Sequence, residues 1–167
     1  MDAEEASEEA RGHLWRARHR EARCRLGIPF DYHPWSAAGR AYGGVPANSA
    51  RMRELVEIAW AARRPRKRRL PWFADLSQCA TRCVWGETIS TLATSARIFD
   101  FSKRRLLRAV EVLALQGYGP GVLTLPDASP QGEAAALHAA GQGMFLPSLS
   151  KCILCIFLMD TAPWWRR

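Results

Sequence analysis

The chain is short of acid. Sixteen aspartates and glutamates face 24 lysines and arginines, giving a net charge of +8 and a pI near 9.8. Five of the acids, Asp2, Glu4, Glu5, Glu8 and Glu9, crowd into the first nine residues. Few carboxylates remain for general acid or base chemistry, and no paired-carboxylate arrangement is present. A G-x-S-x-G elbow, a phosphate loop and a dinucleotide fingerprint are missing too. His13, His19, His33 and His138 are scattered without metal-ligand spacing. These absences argue against an enzyme and lead us to expect no cofactor and no metal. An apolar run of about 18 residues, long enough to span a bilayer, is also lacking. The nearest stretch, "CILCIFLM" (Cys152 to Met159), is far shorter and suits a buried strand or a sticky tail. No internal repeat is visible.

Cysteine is present as an odd set: Cys24, Cys79, Cys83, Cys152 and Cys155. The N-terminal "MDAEEASEEA" is acidic, the reverse of a secretory signal, so thiols in a reducing compartment are expected rather than a disulfide framework. Cys79-x3-Cys83 and Cys152-x2-Cys155 supply enough thiolates for a zinc site. The irregular first spacing and the apolar setting of the second pair favour buried thiols instead.

Hydrophobic residues make up 48% of 167, which allows one compact domain with extensions or two very small ones. The excess of base suits an acidic partner, whether nucleic acid, a phospholipid surface or an acidic protein face, and it also serves solubility alone. The densest run, "RRPRKRR", holds Arg63, Arg64, Arg66, Lys67, Arg68 and Arg69. It fits an import signal or a phosphate-binding patch, and equally a solvated loop between helices.

Along the chain, residues 1–26 run from acid to base, the order a helix dipole prefers, and predict a charged helical arm. Its apolar content is thin, so it is expected to project from the body or lie across a partner. Residues 27–48 carry prolines, glycines and the aromatics Phe30, Tyr32, Trp35 and Tyr42; a linker is expected, pinned by those rings to its own domain. A second helix follows a cap at Asn48 or Ser49, with Met52, Leu55, Val56, Ala59 and Trp60 in one apolar stripe, and stops at Pro65. A shorter helix is expected over 73–83, with Phe73, Leu76 and Ala80 inward. A third is expected over 102–116, capped by Ser102 and stopped by Gly117, before the apolar "VLTL". Lys103, Arg104 and Arg105 would then oppose the dipole at the start of that helix, with Val112 and Leu115 forming an apolar patch beside Arg104 and Arg108. Helix, helix, helix and wing is the order of a winged helix, so the expected class is mainly α with a small β-wing (α+β).

"DFSKRRLLRAVEVLALQGYGPGVLTL" (Asp100 to Leu125) resembles the end of the first winged helix in the vacuolar protein sorting twenty-two subunit of ESCRT-II. Asp100, Ser102, Leu106, Arg108, Ala109, Leu113, Gly117, Gly119 and Gly121 stand at the family's positions. "WRARHREARCRLGI" and "ELVEIAWAARR" are similar to segments upstream of it, so the likeness covers roughly Trp15 to Leu125. The linker lacks the family's Asp-Pro and acidic segment, about ten residues are inserted near 84–99, and the second winged helix is at most begun within 127–167. The resemblance implies an arm over 1–26, a winged-helix domain over 49–126 and a non-enzymatic adaptor. Its partners would be the other ESCRT-II subunits, with an acidic lipid surface a further candidate, and it would sit in the cytoplasm, peripheral to endosomal membranes. The basic helix start departs from the family, whose members are usually acidic there. From the charge and apolar pattern, the contact residues expected for a partner or a phosphate are Lys103, Arg104, Arg105, Arg108, Val112 and Leu115, with the run from Arg63 to Arg69 as a separate basic patch. The alternatives are a nuclear winged helix binding DNA through the same cations, and a truncated product without a function of its own.

Overall fold

The computed structural model describes residues 3–63, 71–83, 85–89, 92–93, 95–118, 130–142 and 148–154. Helix α1 (Ala3–Leu26) forms over the acid-to-base segment, with Arg23 and Arg25 in its last turn where cations suit the dipole. Gly27, at φ +66°, ends it: the Ile28 N–H donates to the Arg23 carbonyl at 2.9 Å and the Gly27 N–H to Cys24 at 3.1 Å. The C-terminal half of the helix does not project as an arm. Ala22, Arg23 and His19 near its C-terminus are buried against helix α2 and the following loop. Polar pairing makes up for the thin apolar stripe. Arg23 donates through Nε to Glu54 at 2.6 Å and through Nη1 to the carbonyls of Pro29 at 2.6 Å and Tyr32 at 3.1 Å.

Helix α2 (Ala50–Ala61) follows its expected stripe. Met52, Leu55, Val56 and Ala59 are buried, Trp60 partly so. Ser49 precedes it without a side-chain capping bond.

The next expected helices do not form where the apolar spacing put them. Residues 73–83 are strand β1 (Phe73–Asp75) followed by turns, although Leu76 and Ala80 are inward as expected. Residues 98–106 are a hairpin of β3 (Ile98–Asp100) and β4 (Arg105–Leu106). With β2 (Trp85–Gly86) they make a four-stranded antiparallel sheet in the order β2-β1-β3-β4, with Ala74 opposite Phe99 at its centre. Both β1 and β3 end in the same Asp-x-Ser turn. Asp75 Oδ1 accepts from the Ser77 N–H at 2.9 Å and its hydroxyl at 2.7 Å; Asp100 Oδ1 accepts from Ser102 at 2.8 and 2.5 Å. Ser102 therefore bonds back to Asp100 instead of capping a helix, a competition open to any Asx or Ser side chain. Arg104 takes a left-handed conformation (φ 56°) at the tip, and Gly43 joins the sheet edge beside Arg105 in a parallel bridge.

These elements belong to one compact unit, residues 1–92 and 96–107; a second comprises 93–95 and 108–167. In the second, α3 (Ala109–Leu115) is stopped by Gly117 (φ +89°), as expected. It packs on α4 (Pro130–Gln142), where the Ala109 N–H donates to Glu133 at 3.1 Å and Gln116 Nε2 to the Ala140 carbonyl at 3.0 Å. Residues 148–154 are helical. The expected wing strand, Gly119 and Gly121 lie outside the described residues. The described residues thus form a mainly helical α+β fold, but helix, antiparallel sheet and short helix replace the three-helix order expected over 49–116.

A candidate arginine–tryptophan anion site

The loop after α1 is held by a carboxylate. Glu57, on the buried face of α2, accepts from the Trp35 N–H at 2.7 Å, the Ser36 N–H at 2.9 Å and the Tyr42 hydroxyl. Burial and the Glu57 hydrogen bond push the Tyr42 hydroxyl well above its usual range, so it remains a proton donor. Trp35 is fully buried, donates its indole N–H to the Ala41 carbonyl at 3.1 Å, and meets Trp60, Phe99 and Phe101 edge-on. The ring cluster is the pin expected of the loop's aromatics; Phe30 and Tyr32, in contrast, are exposed.

Gly39 (φ +63°) turns the chain after the segment 33–38, and Arg40 comes back across the indoles. Its guanidinium carbon lies 4.6 Å from the Trp60 ring centroid and 5.2 Å from that of Trp35. Arg63 adds a second guanidinium, 5.0 Å from Trp60 and 5.9 Å from Trp72. Cation–π contacts of this kind fix a flexible side chain without using its hydrogen-bond donors. The Arg40 guanidinium has no protein acceptor among the described residues. Tyr32, Pro34, Arg40, Trp60, Ala61 and Arg63 line an open cavity of about 470 Å³. Such a cavity can receive a carboxylate or phosphate in bidentate fashion.

The contact residues expected from the sequence are distributed differently. Lys103 and Arg104 are exposed at the β3–β4 turn, Lys103 within 4.0 Å of Asp100, and Arg105 is half-buried in β4. Those three belong to the first unit, whereas Arg108, Val112 and Leu115 belong to the second. Arg108 lies 4.0 Å from Glu133 and its N–H donates to Glu111 at 2.8 Å. Val112 is buried rather than part of a surface patch, because it faces inward from α3; Leu115 is 42% exposed. Of the basic run, Arg63 is in the cavity wall, and Arg64, Arg66, Lys67, Arg68 and Arg69 lie outside the described residues. Sequence reasoning missed Arg40 altogether. The only available signal was an arginine just past a Ser-Ala-Ala-Gly turn in an aromatic-rich loop.

Among the described residues no three His, Cys, Asp or Glu side chains are grouped to hold a metal, and no helix is long and apolar enough to cross a membrane. Comparisons with protein-family models, curated proteins and solved structures gave no match to this chain.

Proposed function

We propose that this chain is a non-enzymatic binding module that docks an acidic segment of a partner protein on the Arg40–Trp60–Arg63 surface. The carrying observation is the Arg40 guanidinium, oriented by two indoles yet unpaired with any protein acceptor among the described residues. Its stacked arginines also occupy Trp60, which leaves that ring poorly suited to stack a nucleic-acid base and favours a carboxylate-bearing peptide. The basic run that begins at Arg63 adds positive charge directly after it in the sequence, which favours an acidic partner. In the narrower form implied by the resemblance, the partners are the other ESCRT-II subunits at endosomal membranes. That form is supported by the short motifs alone, since residues 98–106 are a hairpin and not the start of a helix.

A DNA-binding reading has less beneath it. Helix α3 has seven residues and turns Ala109, Val112 and Leu113 inward, so it offers little as a major-groove reader. Titrating the full chain with a fluorescent oligoglutamate peptide tests the proposal. Arg40→Ala should weaken binding roughly tenfold, the equivalent of one charge-assisted contact. Equal affinity of Arg40→Ala and wild type would remove the site from the reading. Failure of the chain to co-purify with the other ESCRT-II subunits would remove the narrower form and leave the peptide result standing.

A further inference from the structure

The turn after β1 brings two thiols together under a cation. The Cys83 N–H donates to the Cys79 carbonyl at 2.7 Å, closing one helix-like turn between the two cysteines. Arg18 Nη1 reaches from α1 to within 3.5 Å of Cys79 Sγ, and Thr81 Oγ1 lies 3.2 Å from the same sulfur. Cys83 Sγ donates to the Asp75 carbonyl at 2.9 Å. Arg51 holds the start of the turn from α2, donating to Gln78 O at 2.8 Å. Cys79 is partly exposed. From this geometry we infer that Cys79 is a peroxide-reactive thiol and Cys83 its resolving partner.

The two sulfurs are prepared for different roles. Burial pushes the Cys79 thiol up, but hydrogen bonds from Thr81, from the Arg82 backbone and from Arg18 outweigh it and hold the thiol below its ordinary value. Burial, with the nearby Asp75 charge, pushes Cys83 up to about 12. The thiolate is the nucleophile, so Cys79 attacks first. Its sulfur forms an S–O bond as the O–O bond of a hydroperoxide breaks, and the leaving oxygen takes a proton to become water or an alcohol. Sulfur is oxidised by two electrons and the peroxide reduced. The Cys83 sulfur then attacks the Cys79 sulfenic acid, an S–S bond forms, the S–O bond breaks, and the hydroxyl leaves as water with the Cys83 proton. Residues four apart on a helical turn hold their Cβ atoms about 5–6 Å apart, whereas a disulfide needs about 3.5–4.5 Å. The turn must therefore tighten, and Cys83 must leave the Asp75 carbonyl. Oxidation would also remove the sulfur acceptor that Arg18 faces and loosen α1 from this turn.

The test treats the reduced full chain with limiting hydrogen peroxide and maps thiols, sulfenates and disulfides by mass spectrometry. A Cys79–Cys83 disulfide should form while the exposed Cys24 and Cys152 remain thiols. Cys83→Ser should instead accumulate Cys79 sulfenate, captured by a dimedone probe. Arg18→Gln should slow Cys79 oxidation severalfold relative to Cys24 within the same molecule. Oxidation of Cys24 at the same rate as Cys79 would overturn the inference, as would an unchanged Cys79 rate in Arg18→Gln. A Cys79 sulfenate that persists in the wild type without bridging would overturn the role of Cys83.

Discussion

Replacing Glu57 with glutamine changes little in volume but removes one acceptor where two are in use. Oε2 accepts from the Trp35 N–H, and Oε1 accepts from the Ser36 N–H and the Tyr42 hydroxyl. A glutamine that keeps its oxygen at the Oε1 position sets its NH2 against the Trp35 N–H, donor against donor, in a site where both residues are buried. An unsatisfied buried donor costs about 1–3 kcal/mol. For a unit of this size, each kcal/mol lowers the melting temperature by roughly 4–8 °C, so a drop of about 4–24 °C is expected. Glu57→Ala abandons all three donors and should cost about 3–6 kcal/mol, comparable to the whole stability of a marginal domain. Trp15, Trp35, Trp60, Trp72 and Trp85 all lie in the first unit, so indole fluorescence during thermal unfolding reports mainly on it. Because Glu57 positions the loop that carries Arg40, oligoglutamate affinity should fall even below the melting transition. A Glu57→Gln protein that melts within about 2 °C of the wild type would refute the view that this carboxylate holds the loop.

Acid should weaken the first unit through His19. Its ring is buried, neither nitrogen has a hydrogen-bond partner among the described residues, and burial followed by the charges of Arg51 and Arg23 lowers its pKa from 6.5 to about 4. The unfolded chain binds the proton more readily, so stability is full above pH 6.5 and declines as pH falls toward 4. The loss approaches about 3 kcal/mol, and His19→Leu should flatten urea midpoints across that window. Gly43→Ala should cost about 1–3 kcal/mol: a Cβ there would lie 2.7 Å from Arg105 Cβ and 2.9 Å from the Arg104 carbonyl, and equal denaturation midpoints would show that this edge can yield. Arg23→Lys cannot serve Glu54 and two carbonyls together, so it should cost about 2 kcal/mol. Amide exchange in the C-terminal half of α1 should then quicken, and unaltered protection would contradict the anchoring role given to Arg23.

Where neighbours in sequence are neighbours in space, the reading from sequence was close. The α2 stripe and the glycine stop after α3 depend on contacts three to five residues apart, which spacing and turn chemistry report directly. "DFSK" was misread because Asp-x-Ser serves a helix cap and a hairpin turn equally well. Asp100 pairs with Phe73, and no local pattern contains that partner. The same reason hid the buried face of α1. Arg23 and His19 look like solvent residues until Glu54, Pro29 and Tyr32 are placed beside them.

The sequence by itself determined helices α1 and α2, the aromatic pinning of the loop and the cationic character of the chain. Each of these follows from composition or from short-range periodicity. Tertiary structure alone decided that Lys103 to Arg105 form a turn and a strand, and that Arg40 lies across Trp35 and Trp60. It also decided that Arg18 meets a thiol 61 residues away. These outcomes depend on which distant groups complete one another's hydrogen bonds and cover one another's rings, and only the closed chain brings such groups within reach.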